Sequence, residues 1–155
     1  MATTLAVFDA TKGNAAGRPF LGDHKRFLVN SQVITIPGDA VANDTLQVIK
    51  AIPVKAGWLI KGSRHKNVIA GIGTSTIVFD VGITAGTANG FKGAVAGKAA
   101  AGTVTQSAPG TDAYATAGGV YITADTTVDI YATTGIGTVT TKAQVMIYLD
   151  VEDLN

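Results

Sequence analysis

Cysteine is absent from all 155 residues. That absence removes disulfide scaffolds, thiolate metal sites, CxxC redox chemistry and cysteine nucleophiles together. Histidine occurs only as His24 and His65, too few for a multi-histidine metal centre. Glutamate is nearly missing as well: Glu152 stands alone beside 10 aspartates. Glu is a standard residue of exposed helix faces, so a chain with one of them holds almost no ordinary amphipathic helix. Charged residues make up only 15% of the chain and aromatics 6%. Disorder needs high charge with low hydrophobicity, and this balance is the reverse. A formal net charge of +1 does not describe a nucleic-acid binder. Uncharged runs are broken by Gly and Thr and never approach the roughly 20 apolar residues of a spanning helix. The first eight residues lack the basic region of a secretory signal and are followed by Asp9 and Lys12. The expectation is a protein made and used in soluble form, with neither nucleic acid nor membrane as partner.

What is present points one way. Threonine counts 21 against 4 serines, and glycine counts 19. Thr is β-branched and suits a half-buried pleated surface, so the composition predicts an all-β chain. At this length one domain is expected, able to bury about two-thirds of its unfolded surface and therefore to hold a core without staples. Mean hydropathy is +0.30, high for a free monomer, which suggests that other subunits cover part of the surface.

Along the chain, residues 1–26 read as an extended N-terminal arm. Gly13, Gly17, Pro19 and Gly22 break any periodicity there, and fully extended the segment spans roughly 85 Å. Residues 27–155 read as the folded domain. Strands are expected at 27–36, 45–52, 58–70 (bent near Gly62), 75–81, 102–107, 119–123, 127–133, 137–141 and 143–151. Pro53 and 55–57 are read as a turn or bulge, and the Gly-rich stretch 82–102 as a long loop with one short strand. In the last strand Val145, Ile147, Leu149 and Val151 share one face, a pattern expected of a central strand. Roughly eight or nine strands joined by irregular loops predict a two-sheet antiparallel β-sandwich. An immunoglobulin-like variant lacks its Cys…Trp…Cys marker, which favours a jelly-roll-like body. Charge divides along the chain: residues 1–100 carry 11 Lys+Arg against 5 acids (+6), and residues 101–155 one Lys against 6 acids (−5).

No reaction chemistry stands out. Ser31, Ser63, Ser75 and Ser107 have no nucleophile-elbow context. His24 falls in the arm. His65, set between Arg64 and Lys66, reads as a solvated surface residue with its pKa depressed by neighbouring positive charge. Asp125 and Asp129 would stand about 13 Å apart on a strand, too far for a glycosidase pair. A calcium site at Asp112 or Asp125 lacks EF-hand spacing. The glycines of 71–76 and 135–137 precede no helix and form no phosphate loop. The basic stretch 61–66 lacks the interleaved aromatics of a nucleic-acid platform, and Trp58, next to Leu59 and Ile60, reads as core. No cofactor, metal or catalytic residue is expected.

Four segments carry a resemblance: Asp44-Thr45-Leu46-Gln47-Val48-Ile49-Lys50, Ile52-Pro53-Val54-Lys55-Ala56-Gly57, residues 75–82, and Asp112-Ala113-Tyr114-Ala115-Thr116-Ala117-Gly118-Gly119 continuing to Thr127-Val128-Asp129-Ile130. Together they resemble the tailed-bacteriophage capsid cement or decoration proteins of jelly-roll type, over residues 44–151. The resemblance implies homotrimers on the capsid exterior at three-fold and quasi-three-fold positions, bridging subunits of the major capsid protein. It also implies residence in the virion after synthesis in the host cytoplasm. The arm lies outside the resemblance. From its composition, Arg18, Phe20, Lys25 and Arg26 are the expected capsid contacts. The competing expectation is a receptor- or carbohydrate-binding jelly roll of a phage fibre or tail, with Trp58, Tyr114, Tyr121 and Tyr131 exposed on one loop rim. An enzyme is not expected.

Overall fold

The structure is a computed structural model, and it describes residues 3–6, 25–36, 45–74, 76–83, 86–134 and 138–154. Its strands are β1 (Thr3–Ala6), β2 (Lys25–Asn30), β3 (Ile34–Thr35), β4 (Thr45–Val54), β5 (Trp58–Ile69), β6 (Ile72–Gly73), β7 (Ile77–Ile83), β8 (Lys92–Ala96), β9 (Val104–Gln106), β10 (Val120–Tyr121), β11 (Thr126–Thr134), β12 (Val139–Thr141) and β13 (Gln144–Asp153). One helical turn, α1 (Ala113–Thr116), lies between β9 and β10. Among the described residues no helix is long and apolar enough to cross a membrane.

Every strand pairing is antiparallel. The larger sheet runs β1-β2-β13-β5-β10, with β3 also on β13 and β9 also on β5. The smaller runs β4-β11-β7-β8, and β12 pairs with β6 as a separate ribbon. The chain passes repeatedly between the two main sheets, and their inner faces share one hydrophobic core. The all-β, two-sheet expectation is met.

Strict alternation builds that core. On β13, Val145, Ile147, Leu149 and Val151 are fully buried, and the strand is flanked by β2 and β5, the central place its pattern predicts. From the facing sheet, Ile77, Phe79 and Val81 of β7 and Val128, Ile130 and Ala132 of β11 are buried. Of the long loop expected at 82–102, Gly82 and Ile83 belong to β7; the described remainder, 86–102, holds β8 as its one strand, and Phe91 and Val95 anchor it in the core. The loop doubles back so tightly that a Cβ on Gly82 would strike the carbonyl oxygens of Thr87 and Ala88.

Local irregularities shape three of the strands. The strand expected at 27–36 divides into β2 and β3 at Ser31. Its N–H donates to the Ile147 carbonyl at 2.9 Å, while its Oγ accepts the Ile147 N–H at 2.9 Å. A side chain thus replaces part of the ladder. Pro53 lies within β4, opposite Thr127, two residues past a bulge at Ala51, and the turn follows at 55–57. The smaller sheet ends at β4, so the missing N–H of Pro53 interrupts no ladder there. In the same strand Asp129 faces Lys50 while Val128 faces Ile52. Ala51 is therefore an extra residue, and this bulge lets Ile49 and Ile52 both turn toward the core. On β5, Asp150 faces Gly62 and Val151 faces Ile60. The bulge at Lys61 supplies the bend expected near Gly62.

Candidate functional site

Strand β5 sends opposite chemistries to its two sides. Inward go Ser63, His65 and Asn67, all buried; outward go Arg64 and Lys66, both exposed. His65 is therefore not the solvated residue that its neighbours Arg64 and Lys66 suggested. Alternation turns those two cations to the opposite side and leaves the imidazole 0% exposed. Its Nε2 lies 3.0 Å from Ser63 Oγ, and its ring meets Phe79 of the facing sheet edge-on at 6.4 Å. Burial drives its pKa down to about 4, and Lys92 adds to the fall. Asp112 and the Thr105 backbone pull the other way. Asn67 donates from Nδ2 to the carbonyls of Ala96 at 3.1 Å and Ala99 at 3.0 Å, tying the turn after β8 to the larger sheet.

On its outer side the larger sheet is open, and cross-strand register arranges its side chains in rows. One row holds Asn30, Tyr148, Arg64 and Gln106 from β2, β13, β5 and β9. The next holds Met146, Lys66 and Val104, and beyond it lie Thr35, Gln144 and Ile69. Val104 is 56% exposed and Ile69 41%. Exposed Ile72 and Val33 lie within a few residues of the same end of the sheet. In the opposite direction Arg26 bonds Asp150 at 3.1 Å and Lys61 pairs with Glu152. Between these, a groove of about 300 Å³ runs past Gly62, Arg64, Gln106, Pro109, Tyr148 and Asp150.

The carboxylates weighed for chemistry have other employment. Asp112, only 5% exposed, accepts Lys92 at 3.1 Å and the Ala108 N–H at 2.7 Å. Burial acts to raise its pKa, but these donors outweigh burial and the pKa is lowered. Asp125 holds Lys55 at 3.1 Å and the Ala56 N–H at 3.0 Å, closing the 55–57 turn. Asp129 is buried in the smaller sheet. Among the described residues no three His, Asp or Glu side chains converge.

The aromatics of the competing reading are not all exposed: Tyr114 and Tyr121 line one cleft, but Trp58, Tyr114 and Tyr131 are half-buried. Trp58 packs edge-on against Phe27 at 5.1 Å, and Tyr114 against Phe91 at 4.8 Å. Tyr131 donates its hydroxyl to the Ile83 carbonyl at 3.1 Å, and burial raises its pKa first, with Asp129 and Tyr114 adding to it. Of the four, Tyr121 alone is exposed. Of the expected capsid contacts, Lys25 and Arg26 are exposed at the start of β2, opposite Asp153 and Glu152 of β13. Arg18 and Phe20 lie outside the described residues, as do His24 and most of the expected arm. The basic stretch 61–66 is visible in the sequence. Val104, Met146 and Tyr148 beside it are not, because register alone brings them there.

No protein-family model and no curated protein matches the sequence. Similarity appears at the level of the fold. One solved chain belongs to the "Acidic stable capsid structure of Helicobacter pylori bacteriophage KHP30", with a TM-score of 0.54 and 14% identity, covering 97% of this chain and 93% of that one. Another belongs to the "Cyanophage Pam1 capsid asymmetric unit", with a TM-score of 0.60 and 14% identity, covering 97% of this chain and 100% of that one. The protein shares its fold, nearly end to end, with chains found in two phage capsids.

Proposed function

We propose that this is a non-enzymatic capsid cement protein, which binds the outer surface of an assembled phage capsid as a homotrimer and bridges major capsid protein subunits. The observation that carries this reading is the mutual coverage of the two capsid chains, 97% against 93% and 97% against 100%. In each of those capsids a domain of this outline is a whole chain. The open outer face of the larger sheet supports it.

The mechanism needs no bond-making. A protein that binds the closed lattice and not dispersed subunits stabilises the lattice by mass action, and three linked copies turn weak contacts into avidity. In this reading the arm proposed within residues 1–26 brings Arg18 and Phe20 to the major capsid protein, joined by Lys25 and Arg26 at the start of β2, and neither nucleic acid nor membrane is engaged. The test is to mix the purified protein with undecorated capsids and image them by cryo-electron microscopy. Density at three-fold positions is expected, and bare capsids at micromolar protein would reject the proposal. Deleting residues 1–26 should lower occupancy; equal occupancy removes the arm from the account.

A further inference from the structure

We infer that the docking surface is the outer face of the larger sheet around Arg64 and Lys66, and that its partner offers an acidic segment flanked by apolar side chains. This rests on the capsid reading above and names the face and chemistry it uses.

Three observations converge on that face. First, Arg64 and Lys66 form no ion pair among the described residues, while the carboxylates on the same face, Asp150 and Glu152, are taken by Arg26 and Lys61. Two cations are thus left unbalanced in adjacent rows. Second, exposed Val104 and Ile69 lie in the rows of Lys66 and beyond it, with Met146 and Tyr148 between. Apolar side chains around unpaired charge are the mark of a surface that is covered in use. Third, the groove beside Arg64 gives a partner side chain somewhere to enter.

Charge also decides what the occupant is. A second copy of this chain has little to offer Arg64 and Lys66. Asp80 accepts the Ala94 N–H at 2.7 Å, Asp112 holds Lys92 and Asp125 holds Lys55. Asp129 is buried, Asp150 and Glu152 are paired, and Asp153 is also engaged. Among the described residues the carboxylates are ion-paired, hydrogen-bonded or buried, so the described body of a second copy is a poor source of the complementary acid, and the occupant proposed is a different protein.

The decisive experiment is the double reversal Arg64→Glu with Lys66→Glu, assayed for binding to undecorated capsids over a salt series and for self-association by sedimentation. Val48→Glu, an exposed position on β4 of the other sheet, controls for added negative charge. The reversal should weaken capsid binding on the order of a hundredfold, because like charges then face each other. Self-association should be unchanged, and Val48→Glu should bind as wild type. Wild-type binding should also weaken with salt. Should the reversal unfold the protein, Arg64→Gln with Lys66→Gln keeps the size and loses only the charge, with about a tenfold loss expected. Undiminished binding by a folded variant overturns the inference and leaves the capsid reading standing. Loss of self-association places the face between copies and overturns it too. Failure of the wild type to bind capsids defeats the underlying reading.

Discussion

His65 shows how one buried side chain gives the fold a pH dependence. In the folded chain burial holds its pKa at about 4, against 6.5 when solvated. The unfolded chain therefore binds a proton that the folded one refuses. The stabilisation is complete above pH 6.5 and drains away as pH falls toward 4. By linkage this is roughly 2–3 kcal/mol at pH 4.5. Asp112 acts in the same direction lower down: its pKa lies below the ordinary 3.8, so its contribution is present above that value and disappears in stronger acid. Urea unfolding at pH 7.5 and 4.5 should show the loss in the wild type. His65→Gln should show a flatter profile across that window, and an equal loss in the variant would assign the pH dependence to other groups.

Among the elements, those with unbroken alternation were legible before any coordinates, and those shaped by bulges were not. β13 and β7 alternate between apolar and polar residues over most of their length, and their inner faces follow that period, although each runs two residues past its expected end. β4 carries an extra residue at Ala51, and β5 carries two, at Lys61 and Val68. Apolar parity changes partway along, and a fixed period misassigns the residues past each bulge. Asn67 is the clearest case. It reads as a polar residue in a basic stretch, yet it is buried and its amide serves carbonyls about thirty residues away. The open face was half legible, since the cations of 61–66 are visible in the sequence and their apolar neighbours come from β9 and β13. Asn67→Ala should strand those carbonyls and cost about 2 kcal/mol. Amide exchange should rise selectively across residues 96–103, where Gly102 N–H meets the Asn67 carbonyl at 2.7 Å. Uniform exchange along the chain would mean that Asn67 does not hold this turn.

For the whole molecule, the proposed role makes stability a property of the shell and not of the chain. If the protein binds only assembled lattice, the gain is RT ln(1 + [L]/Kd), about 2.7 kcal/mol per site at a hundredfold excess over Kd. The capsid melting temperature should therefore keep climbing with the logarithm of free protein after every site is filled. A rise that stops at saturation would instead indicate a locked, kinetically trapped coat. The charged face adds a second condition. With Arg64 and Lys66 carrying part of the contact, raising salt weakens binding through screening, so the concentration needed for a given melting temperature should move upward with ionic strength. The double reversal should need the higher concentration at every salt and should respond to salt less steeply, having exchanged attraction for repulsion. Parallel salt dependences in the two proteins would place the electrostatic contact elsewhere on the molecule.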